Sequence, residues 1–244
     1  MKVWLWASAA WYGFSGWALP ILLRLIGRLE VQHAGRVPLE GPLVVVANHL
    51  NILDPILVCA VSPRRLRPMA KRELFEVPLI GWVPWLYGAF PVRRFSADLG
   101  ALRAGRNHLR AGRAVLVHPE GTRSRTHELQ PALPGSAMMA LLGGAVIVPA
   151  AITGTEAVTG PRAVLRALLR SLLGRRRGSI RVVFGEPFQL AAGEASADRA
   201  EAATDLMMRH IAALLPESYR GAYGPGSEGT LVVARQRDSH PANS

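Results

Sequence analysis

Leu43-Val-Val-Val-Ala47-Asn48-His49-Leu-Asn-Ile-Leu-Asp54-Pro55 decides the fold of this 244-residue chain, because it holds a strand, a turn and a helix start in one short run. Leu43 to Ala47 is β-branched and apolar, set between Gly41-Pro42 and Asn48-His49, and it reads as a buried strand. Pro55 to Val61 reads as a helix. Proline suits the first helical position and aspartate is a preferred cap, so Asp54-Pro55 marks the helix start.

Working outward, Asp98 to Gly112 carries Leu99, Leu102 and Leu109 on one face and Arg103, Arg106, Arg110 and Arg113 elsewhere, an amphipathic helix ending at glycine. Ala114 to Val117, Ala145 to Ile152 and Ile180 to Phe184 read as strands. Ser136 to Leu142 reads as a helix, and Ala197 to Leu215 as a closing helix stopped by Pro216. Short apolar strands alternating with helices predict an α/β fold: one domain with a mixed, largely parallel sheet flanked by helices. Functional loops then belong at the strand carboxyl ends, where His49 and Glu120 both fall.

The ends differ in composition from the middle. Val3 to Leu23 has no charged residue and carries Trp4, Trp6, Trp11, Tyr12 and Trp17. Roughly 20 apolar residues can cross a bilayer, but Gly13, Ser15, Gly16 and Pro20 interrupt this run and its rings suit the headgroup level. Helices lying in the interface are the preferred reading, with a true span, core packing and a signal peptide as competitors. The expected organisation is an N-terminal hydrophobic membrane-associating helical segment over 1–29, a domain over 30–220, and a disordered tail over 221–244, rich in Gly, Ser and charge.

Twenty-nine Lys plus Arg against 17 Asp plus Glu leave a net charge of +12, while half of the residues are hydrophobic, so the expected partners are anionic and greasy at once. The excess is mostly arginine, which suits phosphate. Arg162, Arg166 and Arg170, beside Leu165, Leu169 and Leu173 and running into Arg175-Arg176-Arg177, form a basic amphipathic helix candidate; membrane contact, a solvated face and nucleic acid are its three readings, and nothing else in the chain supports the last. Leu79 to Phe90, with Trp82, Trp85 and Tyr87, reads equally as greasy surface and as core. Cys59 stands alone, so no internal disulfide is available and a buried thiol is expected. The histidines, His118 among them, show no metal-binding spacing, and no metal site is assigned.

His49 and Asp54 lie five apart, about 140° around a continuous helix at 3.6 residues per turn, where they would not meet. A loop before a helix starting near Asp54 instead folds His49 back over the helix start, so that the carboxylate holds one ring nitrogen and the other acts as a base. A strand-end histidine beside an ordinary cap is the competing reading. In Glu120-Gly-Thr-Arg-Ser124, Gly121 allows close backbone approach, Thr122 and Ser124 add hydroxyls, and Arg123 offers a fork matched to phosphate. Glu120 either orients Arg123 or binds a substrate hydroxyl.

Taken together, Asn48-His49 to Asp54, Gly88 to Arg94, Pro119 to Ser124 and Val148 to Gly154 resemble the four blocks of the glycerolipid acyltransferase family, over roughly residues 31 to 190. That family includes 1-acylglycerol-3-phosphate acyltransferases. The resemblance implies His49 as general base with Asp54 as its partner, Arg94 as a phosphate ligand, and Glu120, Gly121, Thr122 and Arg123 as acceptor-binding residues. Lys71 matches a basic residue before the second block, and Pro149 matches the fourth-block proline. No cofactor is implied: acyl-CoA or acyl carrier protein serves as donor substrate, and the partners are membrane lipids and a lysophospholipid acceptor, lysophosphatidic acid, at the cytoplasmic face of the cell membrane. Two departures stand out. Asn51 replaces a usual serine, and Leu133-Pro134-Gly135 replaces a common Lys-Gly pair, removing one anion contact.

Overall fold

A computed structural model describes residues 10–14, 18, 20–21, 28–94, 96, 98–158, 179–191 and 193–225. Its centre is the strand read first. Leu43–Ala47 (β2) lies between Ala114–Val117 (β5) and Val146–Thr153 (β6), parallel to both. Every residue of β2 and β5 is buried, which is why both strands are apolar on both faces and show no alternation. Val44, Val46, Val115 and Val117 pack on one face with Leu99–Arg110 (α3), Gly135–Gly143 (α4) and Ala197–Leu214 (α5). Leu43, Val45 and Leu116 pack on the other face with Asp54–Val61 (α1). Each such valine or leucine contributes about 1.5–3 kcal/mol.

The sheet continues through Leu66–Lys71 (β3) and Phe90–Val92 (β4) on one side, both parallel to β5, with Trp82–Leu86 (α2) between them in sequence. On the other side Ser179–Phe184 (β7) runs antiparallel to β6 and pairs with a parallel Arg28–Gln32 (β1); the short Phe188–Gln189 (β8) also pairs with β6. The order is β1-β7-β6-β2-β5-β3-β4, a mixed and largely parallel sheet flanked by helices.

Besides the two-residue β8, four elements escape the sequence reading, each for a local reason. Arg67, Pro68 and Lys71 break the apolar pattern of β3, and Pro91 sits in the three-residue β4. Helix α2 spans a single turn with a proline inside it. Strand β1, Arg-Leu-Glu-Val-Gln, begins at Arg28, inside the stretch read as the N-terminal segment. Helix α3 lies where expected, and Asp98 caps it, its carboxylate accepting the Ala101 N–H at 2.9 Å.

Two expectations change, and a third is only partly covered: among the described residues no helix is long and apolar enough to cross a membrane, and most of the membrane-associating segment read over 1–29 lies outside the described residues. Of that segment, Tyr12 docks on the domain: its hydroxyl donates to the Cys59 carbonyl and accepts from the Leu66 N–H, each at 2.9 Å. The tail is ordered at its start, since Tyr223 is buried and the Ala222 N–H donates to the Leu129 carbonyl; residues 226–244 lie outside the described residues, as does the arginine-rich 162–177. Asp54 does not cap α1, because its carboxylate turns back toward the preceding loop.

Candidate active site

Strand pairing brings the two motifs together. Val46 of β2 sits opposite Val117 of β5, so Ala47-Asn48-His49 and His118-Pro119-Glu120 leave the sheet side by side at its carboxyl edge. On the other flank, the Asn48 side chain donates to the Ile152 carbonyl at 2.9 Å and accepts the Ile152 N–H at 2.7 Å. That buried two-way bond stops β2 and fixes where the next residue, His49, begins to turn. The Ser124 N–H closes the second loop onto the His49 carbonyl at 2.8 Å.

Within the first loop, His49 Nδ1 lies 3.1 Å from Asp54 Oδ2. The same oxygen accepts the N–H groups of Leu50 and Asn51, both at 2.6 Å, so the loop is wound around one carboxylate oxygen. Asn51 holds the turn, donating to the Thr155 carbonyl at 2.7 Å and accepting the Leu53 N–H at 3.1 Å. Among the described residues neither the buried Thr155 hydroxyl nor Asp54 Oδ1 closes a full hydrogen bond. An ionised carboxylate only accepts, so Nδ1 of His49 carries the hydrogen and Nε2 keeps its lone pair.

Electrostatics keep that lone pair free. Burial, and after it the charges of Arg94 and Arg123, push His49 down to about 3. Burial also raises Asp54, against the pull of the two amides. An unprotonated imidazole at neutral pH can take a proton from a bound hydroxyl.

His49, Arg94, Arg123 and Lys71 line one cavity of about 1100 Å³. Leu102, Met138 and Met139 line the same cavity, so three cationic side chains and an apolar lining share it. Arg94 is half-buried and Arg123 exposed, with Lys71 3.3 Å from Glu73. Gly121 also lines the cavity; its φ of +67° is strained for any larger residue, and an added Cβ would meet the tip of the Leu133 side chain at 2.7 Å.

Glu120 and Thr122 do not line this cavity. Glu120 is 3% exposed, and its two oxygens accept the N–H groups of His49 at 2.8 Å and of Gln130 at 2.9 Å. Instead of orienting Arg123 or binding substrate, as expected from sequence, it ties the two loops together. Burial raises its carboxyl to about 8. Pro149 stays inside β6, where its carbonyl accepts the Gly185 N–H.

Sequence reading missed the His118 ring and the Ser136 hydroxyl, which both face this region. His118 stacks on His49, and Ser136 lines the cavity at the start of α4, its Oγ buried without a partner among the described residues. The signal for His118 was its place directly after β5, two residues before the second motif. Among the described residues no group of three or more His, Cys, Asp or Glu is placed to hold a metal ion.

Comparison with known proteins gives the following. Residues 28–153, just over half of the chain, match the family model described as Acyltransferase. The chain is 29% identical to the 1-acyl-sn-glycerol-3-phosphate acyltransferase of Bacillus subtilis, over 82% of this chain and 94% of that protein. It is 35% identical to the 1-acyl-sn-glycerol-3-phosphate acyltransferase beta of Homo sapiens, over 50% of this chain and 45% of that one. It therefore spans nearly all of the bacterial relative and about half the length of the human one. In fold it resembles the crystal structure of the 1-acyl-sn-glycerophosphate (LPA) acyltransferase PlsC of Thermotoga maritima, with a TM-score of 0.60, 22% identity, and coverage of 83% of this chain and 78% of that one.

Proposed function

Since the chain belongs to the acyltransferase family, we propose that it moves a fatty acyl group from a thioester of coenzyme A or acyl carrier protein to the free hydroxyl of lysophosphatidic acid, making phosphatidic acid. The observation that carries the reading is one cavity holding a free imidazole, His49, together with Arg94 and Arg123. The names of the bacterial and human relatives agree with this acceptor.

In the proposed reaction the acceptor phosphate sits between the two guanidiniums, whose planar forks match its oxygens. The hydroxyl then reaches His49 already oriented, which contributes several kcal/mol. His49 Nε2 takes the hydroxyl proton while the oxygen attacks the thioester carbonyl. The carbon–sulfur bond breaks, and the departing thiolate takes the proton from His49. Asp54 holds the ring and stabilises its transient charge.

The proposal extends to the membrane. Phe14, Leu79, Ile80, Trp82 and Trp85 are exposed, and Leu79 is 90% exposed at a left-handed turn. Indole rings suit the headgroup level, and the positive chain suits the anionic cytoplasmic leaflet. Of the two readings of Leu79 to Phe90, greasy surface fits its first half and core its last, since Tyr87 and Phe90 are buried.

The test is mass spectrometry of products from a panel of acceptors, offered with acyl-CoA and with acylated carrier protein. Phosphatidic acid as the dominant product supports the proposal. Preference for glycerol-3-phosphate, a lyso-aminolipid or a glycolipid precursor overturns the acceptor and leaves the family intact. Leu133 and Pro134, which stand where relatives commonly have Lys-Gly, line the cavity and are the first positions to examine in that event.

A further inference from the structure

We infer that His118 is a positioning residue for His49: a neutral ring, clamped by main-chain carbonyls, that lies flat against the His49 ring and keeps its Nε2 edge turned to the cavity. The inference rests on the reading of His49 as the base.

Geometry comes first. The two ring centroids are 4.2 Å apart and the planes differ by 17°. His118 does not float in that position, because its Nδ1 lies 3.0 Å from both the Ala47 and the Asn48 carbonyl oxygens. Carbonyls only accept, so Nδ1 carries the hydrogen and the tautomer is set by the end of β2. His118 Nε2 is buried and has no partner among the described residues.

What the stack does follows from the freedom it removes. One bond of 3.1 Å to Asp54 defines where Nδ1 points but leaves the His49 ring able to rock about that contact. A flat ring at van der Waals distance closes one face to rocking and to water. The platform hangs from the main chain next to His49, so ring and platform move as one body.

A second imidazole beside a base helps only while it is uncharged. Burial, and after it the neighbouring His49, hold His118 down to about 3, so it stays neutral wherever the enzyme works. The charged and titratable groups around the pair are Asp54 behind His49, Arg94 and Arg123 acting on His49 across the cavity, and Glu120, its carboxyl raised by burial, under the His49 main chain.

The experiment contrasts His118→Phe, which keeps a flat ring, with His118→Leu, which keeps bulk and loses flatness. Steady-state rates against pH, with thermal melts, are compared with the parent and with His49→Ala. Phe should hold kcat within about threefold and leave the acid limb of kcat/KM in place. Leu should lower kcat by about tenfold to a hundredfold, the scale set by small misplacements, with acceptor KM within about twofold. Its acid limb should move up in pH, because water reaches the His49 face.

Both variants lose the bonds to the Ala47 and Asn48 carbonyls, so equal losses for Phe and Leu would show that the flat face contributes nothing and overturn the inference. Parental rates for Leu would reduce His118 to filler, and a raised acceptor KM with unchanged kcat would make it a substrate contact; either result overturns it. Should a variant unfold, His118→Tyr against His118→Met repeats the same contrast. Retained activity in His49→Ala would instead sink the base itself, whatever the His118 variants do.

Discussion

Two buried carboxylates serve the same histidine from opposite directions. Asp54, five residues along its own loop, takes the His49 ring nitrogen. Glu120, 71 residues away on the next strand's loop, takes the His49 main-chain N–H. One orients the ring and the other anchors the backbone that carries it. The difference teaches that an acidic residue inside a motif need not meet substrate. Glu120 reads as a ligand in the sequence, yet its oxygens are occupied by amides, and of Glu120-Gly-Thr-Arg-Ser124 only Gly121 and Arg123 line the cavity.

The comparison breaks most sharply at its centre. His49→Ala should cost about 10²–10⁴-fold in kcat, the range of a lost general base, while the melting transition persists. Asp54→Asn should approach that loss, since an amide no longer enforces the tautomer that leaves Nε2 free. Near-normal turnover in either would separate the pair from the chemistry.

Glu120→Gln should act mainly on stability. An amide keeps one acceptor and presents an N–H to a second donor, so chemical denaturation should show a loss of about 1–3 kcal/mol. Its pH signature runs opposite to that of His49. The folded carboxyl holds its proton up to about 8, against an ordinary 4.5, so its stabilising share is complete below 4.5 and disappears as pH rises through 8. His49 is held down to about 3 against an ordinary 6.5, so its share is complete above 6.5 and disappears as pH falls toward 3. Denaturation midpoints against pH should lose the first slope in Glu120→Gln and the second in His49→Ala. A Glu120→Gln protein as stable as the parent would end the anchoring role.

Arg123→Lys is expected to raise acceptor KM by about tenfold and donor KM much less, because an ammonium cannot replace a two-pronged fork. Equal effects on both would argue against phosphate binding there. The smallest effect is in the pH–rate curve: the acid limb of kcat/KM should lie well below 6.5, and the limb of kcat should lie higher, because bound phosphate offsets Arg94 and Arg123. A kcat/KM limb at 6.5 or above would mean that the base is solvated.

Much of this was legible in residue order. Strands β2, β5, β6 and β7 and helices α1, α3, α4 and α5 stand out because apolar runs are bounded by glycine, proline or caps. His49 and Asp54 stand out with the family resemblance, and five residues of loop at a helix start suffice to let them touch. Strand β3 hides because Arg67-Pro68 interrupts it and its pairing with β5 and β4 supplies what local preference lacks. The role of Glu120 hides because the amides it binds carry no sequence signature, and His118 hides because a stack needs two strand ends at the same height.

Sequence alone therefore settled an α/β domain of apolar strands and a cationic character suited to phosphate, properties set by residue type and pattern, while the His49–Asp54 pair was legible only with the family resemblance. Tertiary structure decided which motif residues face the cavity, that Asp54 turns away from its helix, and that two histidines share one stack. Those outcomes depend on β2 and β5 lying side by side in register, and hydrogen bonds between strands far apart in the chain set that register.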